Sequence, residues 1–386
     1  MKRLLAVGLS HDVWPPLMYR ISEQLAQEGW QVTHIYSAQE ALDRALASAA
    51  DFENIVVDRP ELTPTNVLGT IGAIKGAVRQ YLSQGAADLV IAHHAAALPA
   101  LVHCRGAQPL VYLASDLYDF NTLKPLMNRC AENHYQRYFA GAIVNNQARV
   151  DILRSRYHWG CPMVVLPNAP SISEQPPVEA DARERVLELF RRQGTEPKHV
   201  AYYAGSISDQ RCVVHLVQAL AQLPPEVGLL LVGFRRREAD PYERSVLEEI
   251  AKQGVGDRVV CLDHLRHPDM LTYTMGADVG MMLYRPDGPN TIYCAPNKLF
   301  EYAMCGVPVL CWEHPHLKDL VRGELEGECI AQITPEAIAE AIRKVLARAD
   351  AGTSERLRRL FAERLCFERH WEQQRAQLLS LAGGGA

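Results

Sequence analysis

Short apolar runs alternate with longer amphipathic stretches along most of the chain. The runs of the first half that predict buried strands are Leu4–Leu9, Val32–Tyr36, Ile55–Val57, Leu89–Ala92, Leu110–Leu113, Ala142–Val144 and Val164–Leu166. Apolar residues at helical spacing predict helices between them, as at Met18–Glu28 and Gly69–Leu82. Regular alternation of strand and helix predicts a parallel sheet with helices on both faces.

The alternation stops at a polar, proline-bearing segment, residues 171–180, and then starts again. The second series of apolar runs is Val200–Ala204, Leu229–Val232, Val259–Leu262, Val279–Leu283 and Val307–Leu310. We therefore predict an α/β chain of two open Rossmann-like domains with a cleft between them. In such sheets ligands bind outside the carboxyl ends of the strands. The expected bounds are 1–170 for the first domain, 171–198 for a linker and lead-in, 199–365 for the second domain and 366–386 for a C-terminal helix and flexible tail.

Composition agrees with a two-domain soluble protein. The chain has 386 residues, more than one hydrophobic core usually organises. Its net charge of −5 argues against a dedicated nucleic-acid binder. Its apolar runs are too short for a membrane span or a signal peptide. The ten cysteines form no C-x-x-C pair and no zinc spacing, which favours reduced thiols. We expect a cytoplasmic protein, with a peripheral contact at the inner face of the membrane left open.

Residues 294–310 carry the most specific signal in the chain. They predict a loop, a short helix and a buried strand. Pro296 suits the first turn of a helix, because its missing N–H group would be unpaired there. Gly306 suits a C-terminal cap, and Val307–Leu310 is the apolar run of a buried strand.

Three polar residues of that helix, Asn297, Lys298 and Glu301, are candidates for ligand binding. Helix N-termini attract phosphate, and a carboxylate one turn further in can accept hydrogen bonds from a ribose diol. The run resembles the nucleotide-sugar motif of family 4 glycosyltransferases, P-x-K-x-F-E-Y-x-A-x-G-x-P-V, with Met304 in place of the alanine. An ordinary loop–helix–strand unit of an α/β domain is the alternative interpretation.

The resemblance implies a GT-B fold, in which two Rossmann-like domains face each other across a cleft. It implies transfer of a sugar from a nucleoside-diphosphate sugar, with UDP or GDP expected, to a glycan or lipid-linked acceptor in cell-surface polysaccharide or glycoconjugate assembly. The family works with retention and without a metal or another cofactor. Trp371 is a candidate anchor by which the C-terminal helix crosses back to the first domain, and a helix that only finishes the second domain is the alternative. A sugar-nucleotide 2-epimerase and a non-catalytic nucleotide-sugar-binding protein remain alternatives for the function.

The segment after the first strand of the second domain resembles the family's G-R-L-x-x-x-K-G segment. Gly205 matches its first glycine, and Arg211 occupies the lysine position. Ser206 stands in place of the arginine and Cys212 in place of the last glycine. The resemblance implies that Arg211 and Lys298 hold the donor diphosphate, since arginine binds phosphate bidentately.

Two further donor contacts follow from the resemblance. Tyr293 stands where the family's E-x7-E signature has its first glutamate, while Glu301 matches the second. Tyr293, or backbone N–H groups around Ala295–Asn297, would then replace that glutamate at the donor sugar. Leu265 and Arg266 fall in a loose match to F-L-G-x-V-x-x-x-x-L, which makes them candidates for the base site.

Candidates for catalysis and acceptor binding follow strands of the first domain: His11, His94 and Asp116, with Asp12 beside His11. His94 ends a segment that resembles D-x-V-x-x-H, and its neighbour His93 is expected to point to the other face. Asp116 matches V-Y-x-x-H-D, where Ser115 replaces the histidine that meets the donor sugar in relatives. An aspartate at a strand end can equally cap a helix, and His11 can be an ordinary loop histidine.

Overall fold

The chain folds into two compact units, each built on its own parallel sheet. A computed structural model describes residues 1–8, 16–38, 52–58, 67–118, 123–235 and 240–383. Unit 1 comprises Met1–Asn168 and His370–Ala386, and unit 2 comprises Ala169–Arg369. Among the described residues the sheets have seven and six strands. The predicted class, two parallel α/β sheets, is confirmed.

The sheet of unit 1 has the order β3-β2-β1-β4-β5-β6-β7, with every pair parallel. Its strands are β1 (Arg3–Val7), β2 (Gln31–Ala38), β3 (Glu53–Asp58), β4 (Leu89–His93), β5 (Leu110–Ala114), β6 (Gly141–Val144) and β7 (Met163–Val165). The described helices of this part are α1 (Pro16–Gln27), α2 (Val67–Ser83), α3 (Leu98–Val102), α4 (Leu123–Tyr135) and α5 (Gln147–Ser155).

The sheet of unit 2 has the order β10-β9-β8-β11-β12-β13, again parallel throughout. Its strands are β8 (His199–Ala204), β9 (Val227–Phe234), β10 (Val259–Asp263), β11 (Val279–Met282), β12 (Val309–Trp312) and β13 (Glu328–Ile330). The helices of the remaining chain are α6 (Ala182–Arg191), α7 (Val213–Leu220), α8 (Pro241–Gln253), α9 (His267–Met275), α10 (Pro289–Ile292), α11 (Asn297–Cys305), α12 (Lys318–Gly323), α13 (Pro335–Arg348), α14 (Thr353–Leu360) and α15 (Phe367–Gly383).

Each sheet reverses its direction of growth at one central strand. In unit 1 the chain moves outward from β1 to β3 and then returns to place β4 on the other side of β1. In unit 2 the corresponding strand is β8, which pairs with both β9 and β11. Because ligands of open α/β sheets bind at the carboxyl ends of strands near such a reversal, these two edges are where side chains can meet a ligand.

At that edge of unit 2 the backbones of two strand exits touch. Gly233 has φ +128°, and a Cβ atom added there would lie 1.9 Å from the carbonyl oxygen of Gly205. Any side chain at position 233 would therefore push the β8 exit away from β9. The amide of Gly205 is tied to Val232 O at 3.0 Å, which fixes the turn that leads towards Arg211.

The C-terminal helix returns to unit 1, as the GT-B resemblance implied. Residues from His370 onward belong to unit 1, although the chain before them belongs to unit 2. Trp371 is buried, and its indole N–H donates to Glu28 Oε1 at 3.2 Å. Gln377 donates to Met163 O at 3.2 Å further along the helix.

Some predicted local details differ from the structure. Strand β13 was missed because its three residues include Glu328 and form no apolar run. The strand expected at Val307–Leu310 is observed as β12, two residues later, because Pro308 provides no N–H group for the sheet. Pro296 is not inside the helix: it precedes α11 as its N-terminal cap, with extended backbone. Within the described residues, no helix is long and apolar enough to cross a membrane.

Candidate functional site

The start of α11 is the centre of the candidate site in unit 2. Glu301 is buried, and its Oε2 lies 2.7 Å from Lys298 Nζ. Its other oxygen, Oε1, lies 3.4 Å from Nε2 of His267, the first residue of α9. Burial alone would raise the pKa of Glu301, but the hydrogen bond from His267 and the charge and hydrogen bond of Lys298 outweigh it and lower the pKa to about 2. Glu301 is therefore an ionised carboxylate at neutral pH, with one donor on each oxygen.

The first turn of α11 has polar groups without protein partners. Pro296 supplies no side-chain cap, so the first N–H groups of this nine-residue helix are not capped by a side chain. The Oδ1 atom of Asn297 is buried and has no hydrogen-bond partner. Lys298, the next residue of the same turn, lies 3.1 Å from Met270 Sδ. Donors, an unpaired acceptor and a cation together suit a polar anionic ligand.

Arg211 lies at the exit of β8, on a short turn over Asp209–Arg211. Its guanidinium carbon is 3.9 Å from the ring centroid of Tyr284, which follows β11. Burial raises the pKa of Tyr284 to about 12; the charge of Arg211 opposes this rise, and that of Glu301 adds to it. The charges of Arg211 and Glu301 thus both act on the Tyr284 hydroxyl. The structure therefore places these two predicted ligand-binding residues around one side chain.

Cys212 stands at the position where the family pattern has glycine. Its backbone is left-handed, with φ 56° and ψ 33°, and it caps the start of α7. Glycine adopts this conformation without the steric cost that a Cβ atom brings. The departure from the motif therefore keeps the turn but strains it.

The remaining donor candidates lie at strand exits of the same sheet. Gly205 has φ +148°, and Ser206 is exposed, with its carbonyl accepting from Tyr203 Oη at 2.7 Å. Leu265 is half-buried against the core, and Arg266 is an exposed N-terminal cap of α9. These positions agree with a ligand edge at this side of the sheet.

Tyr293 ends the short helix α10, and its amide donates to Pro289 O at 3.0 Å. The next residue, Cys294, has its Sγ 3.5 Å from Nδ1 of the fully buried His314. His316 Nε2 lies 2.8 Å from the carbonyl oxygen of Cys294. The segment that leads into α11 is thus held by two histidines that the motif comparison did not single out, one at the Cys294 sulfur and one at the Cys294 carbonyl oxygen.

In unit 1 the histidine pair at the end of β4 is arranged differently from the expectation. His93 is buried and its Nε2 lies 2.8 Å from Ser115 Oγ, on the neighbouring strand exit. Burial lowers the pKa of His93 to about 3, so the ring is neutral. His94 has φ 78°, and its Nδ1 accepts from the Ala96 amide at 3.2 Å. His93 therefore contacts the residue that replaces the family histidine, a role that the expected strand alternation did not indicate.

Asp116 is exposed on the loop that follows β5. Two buried arginines donate hydrogen bonds to this loop. Arg149 donates to Ser115 O, and Arg129 donates to Tyr118 O at 3.0 and 2.8 Å. The loop that presents Asp116 is therefore fixed by hydrogen bonds from arginine side chains to its main-chain carbonyl oxygens. His11 and Asp12 lie outside the described residues.

Part of unit 2 matches a known protein family. Residues 198–348 match the family model described as Glycosyl transferases group 1. The resemblance to this family is confirmed over those residues, which include α11 and the β8 exit. Among curated proteins, none is similar enough in sequence to match the chain.

Solved structures resemble nearly the whole chain. Sucrose-phosphate synthase from Thermosynechococcus elongatus has 19% identity and a TM-score of 0.74, over 99% of this chain and 98% of its own. HepE from Anabaena, in complex with UDP-glucose, has 18% identity and a TM-score of 0.73, over 98% of this chain and 100% of its own. WaaG, a glycosyltransferase involved in lipopolysaccharide biosynthesis, has 18% identity and a TM-score of 0.63, over 99% of this chain and 100% of its own. The fold is that of GT-B glycosyltransferases.

Proposed function

We propose that this protein is a glycosyltransferase that takes a sugar from a nucleoside-diphosphate sugar. The observation that carries the proposal is Glu301, a buried and ionised carboxylate beside Lys298 at the start of a helix whose first N–H groups lack a side-chain cap. The family match over 198–348 and the UDP-glucose complex of Anabaena HepE support this choice of substrate. UDP is the first nucleotide to test, and GDP the second.

In this proposal different residues of unit 2 bind different parts of the sugar-donor substrate. Glu301 accepts from the ribose hydroxyls, and the bond to His267, the longer of its two contacts, is the one that yields. Arg211 and Lys298 bind the diphosphate together with the first turn of α11, including Asn297 and Pro296. Leu265 and Arg266 are assigned to the base; Tyr293, Gly205 and Ser206 are assigned to the sugar and the adjoining phosphate.

The chemistry assigned to this site is electrostatic. Two cations and a helix N-terminus stabilise negative charge as the diphosphate leaves, which removes the need for a metal ion. Among the described residues, no group of three or more histidine, cysteine, aspartate or glutamate side chains could hold a metal ion. We propose transfer with retention and without metal, as the family resemblance implies.

For the acceptor we propose unit 1, with His94, His11 and Asp116 as the residues nearest the reaction. His94 is preferred because its strained backbone follows β4 directly, and strain of this kind concentrates at functional sites. A glycan or lipid-linked acceptor in cell-surface polysaccharide or glycoconjugate assembly, with a peripheral membrane contact, is proposed on the resemblance alone.

The test is incubation of the protein with UDP-, GDP-, ADP- and dTDP-sugars, with and without excess EDTA. Slow release of UDP or GDP that EDTA leaves unchanged is the expected result. Formation of an epimer would favour a 2-epimerase, and binding without turnover would favour a non-catalytic binding protein. Activity that is lost in EDTA and restored by Mg²⁺ or Mn²⁺ would overturn the metal-independent chemistry. The variant His94→Ala should lower turnover while UDP affinity stays at the wild-type value.

A further inference from the structure

Arg211 is supported by an aromatic ring instead of a carboxylate. Its guanidinium carbon lies 3.9 Å from the centroid of the Tyr284 ring, within the range of a cation–π contact. Within the described part of the chain, no carboxylate pairs with the Arg211 side chain. Arg285, the residue after Tyr284, in contrast pairs with Asp209 at 2.8 Å. An arginine stacked on a ring keeps its full charge and its N–H groups for a ligand.

Tyr284 is itself held in place by contacts between two strand exits. The Arg285 amide donates to Gln210 O at 2.9 Å, next to the Arg285–Asp209 ion pair. Gln210 Nε2 reaches Asp287 Oδ1 at 3.5 Å on the same loop. The two residues that precede Arg211 are therefore tied to residues that follow Tyr284, so the ring and the guanidinium have a fixed register.

The Tyr284 ring also contacts a second aromatic ring. The buried His314 ring meets Tyr284 edge-on, with centroids 6.1 Å apart. Burial lowers the pKa of His314 to about 4 and raises that of Tyr284 to about 12, so both side chains are neutral near pH 7. Tyr284 can thus orient Arg211 without neutralising it.

We propose that Tyr284 is a positioning residue for Arg211. The face of the Tyr284 ring holds the guanidinium in the orientation in which it meets the donor diphosphate. This inference rests on the proposed function, and it concerns a residue outside the motif segments named in the sequence analysis. The phenol hydroxyl is not required for this role. The ring is required, and an aliphatic side chain such as that of leucine cannot replace it.

The experiment compares Tyr284→Phe, Tyr284→Leu, Arg211→Ala and the double variant Tyr284→Leu/Arg211→Ala by calorimetric titration with UDP and GDP. Tyr284→Phe should bind as the wild type does. Tyr284→Leu should bind about 3- to 30-fold more weakly, the range that a cation–π contact covers. In the double variant the loss should equal that of Arg211→Ala alone, because Tyr284 acts only through Arg211. At saturating donor, Tyr284→Leu should also lower kcat, since the guanidinium is then misplaced as charge develops.

Controls separate positioning from general packing. Tyr273→Leu, at another half-buried tyrosine of unit 2, should leave UDP affinity unchanged at a comparable melting temperature. If Tyr284→Leu does not fold, Tyr284→Met provides an unbranched side chain that fills the space. A uniform loss in Tyr284→Leu that persists in the Arg211→Ala background would show that the ring is structural, and would overturn the inference.

The two proposals fail in different ways. Wild-type protein that binds neither UDP nor GDP would overturn the proposed function and this inference with it. Wild-type binding that weakens in Arg211→Ala but stays unchanged in Tyr284→Leu would overturn only the role of Tyr284.

Discussion

Glu301 combines two properties that rarely occur together in one carboxylate, deep burial and full ionisation. A buried carboxyl normally gains a proton because its charged form is poorly solvated. Here His267 and Lys298 each contact one of its oxygens and keep the charge in place. At the scale of single residues, the candidate site is therefore a preformed set of charges. On binding, the hydroxyls and phosphates of a nucleotide would replace the contacts that these charged groups now make with one another.

We expect Glu301→Gln to weaken UDP binding by about 1.5–3 kcal/mol, the typical contribution of a hydrogen bond to a charged group. The amide keeps the shape of the side chain but replaces one acceptor oxygen with a donor. Calorimetric titration measures the loss, with Glu355→Gln at an exposed position of unit 2 as the matched control. Unchanged UDP affinity together with a lower melting temperature would show that Glu301 is structural.

The depressed pKa of Glu301 also predicts how stability depends on acidity. Its contribution is fully present above about pH 4.5, the ordinary value, and is lost as pH falls towards about 2, because the unfolded chain then binds the proton more readily. Between pH 6 and pH 3.5 the wild type should therefore lose about 1.4 kcal/mol more than Glu301→Gln, out of about 3 kcal/mol over the whole window down to pH 2. Urea unfolding at pH 6, 4.5 and 3.5 measures the difference. Parallel pH curves for both proteins would contradict the ion-pair assignment.

At the scale of elements, α7 follows a residue whose left-handed backbone conformation is unfavourable for any residue with a Cβ atom. Cys212 is buried but left-handed, at a position where the family motif has glycine. The turn that carries Arg211 is therefore kept by the contacts around it, and not by the local preference of the chain.

We expect Cys212→Gly to be more stable than Cys212→Ala by about 1 kcal/mol, because only glycine adopts this backbone without strain. Both variants lose the buried thiol, so they differ only by the Cβ atom that the left-handed backbone disfavours. Free energies of unfolding in urea measure it. A more stable alanine variant would mean that the turn relaxes when the side chain shrinks.

The last helix, α15, has its main packing in unit 1. Glu28 accepts hydrogen bonds from both Trp371 and Arg375, and the bond from Arg375 is the main reason why the pKa of Glu28 is lowered. Leu378 and Leu381 are buried further along the helix. The C-terminal segment is thus part of the core of the first unit.

Replacing Trp371 with alanine should destabilise unit 1 by about 3–5 kcal/mol, the usual cost of truncating a buried tryptophan. Because α11 and the β8 exit belong to unit 2, UDP affinity should stay close to the wild-type value. Hydrogen exchange of the full chain should show faster exchange in β1 and α1 and unchanged exchange in β8 and β9. Equal acceleration in both units would contradict this assignment.

At the scale of the whole molecule, the feature to test is the proposed assignment of donor binding to unit 2 and acceptor binding to unit 1. The family match and the charged constellation both lie in unit 2, whereas the acceptor candidates lie in unit 1. Saturating UDP should slow hydrogen exchange at residues 205–212 and at the starts of α9 and α11. Strands β2 and β3 should be unaffected, and uridine without phosphate should give much weaker protection. Protection that uridine reproduces in full would remove the diphosphate from the proposed site.

The sequence determined what is local along the chain. Alternating apolar runs predict most of the strands, because a strand buried in a parallel sheet needs a continuous apolar segment. Gly306 marks the end of α11, where it has φ 80°, and Lys298 and Glu301 meet because residues three apart share a helix face. These features depend only on neighbouring residues.

The tertiary structure decided which strand exits meet. His267 reaches Glu301, Tyr284 stacks on Arg211, and His93 bonds Ser115, although each pair comes from two different segments. These contacts follow from strand order and register, which hydrophobic periodicity does not encode. A strand pattern says that a segment is buried, but the neighbour it pairs with is fixed only when the whole sheet packs.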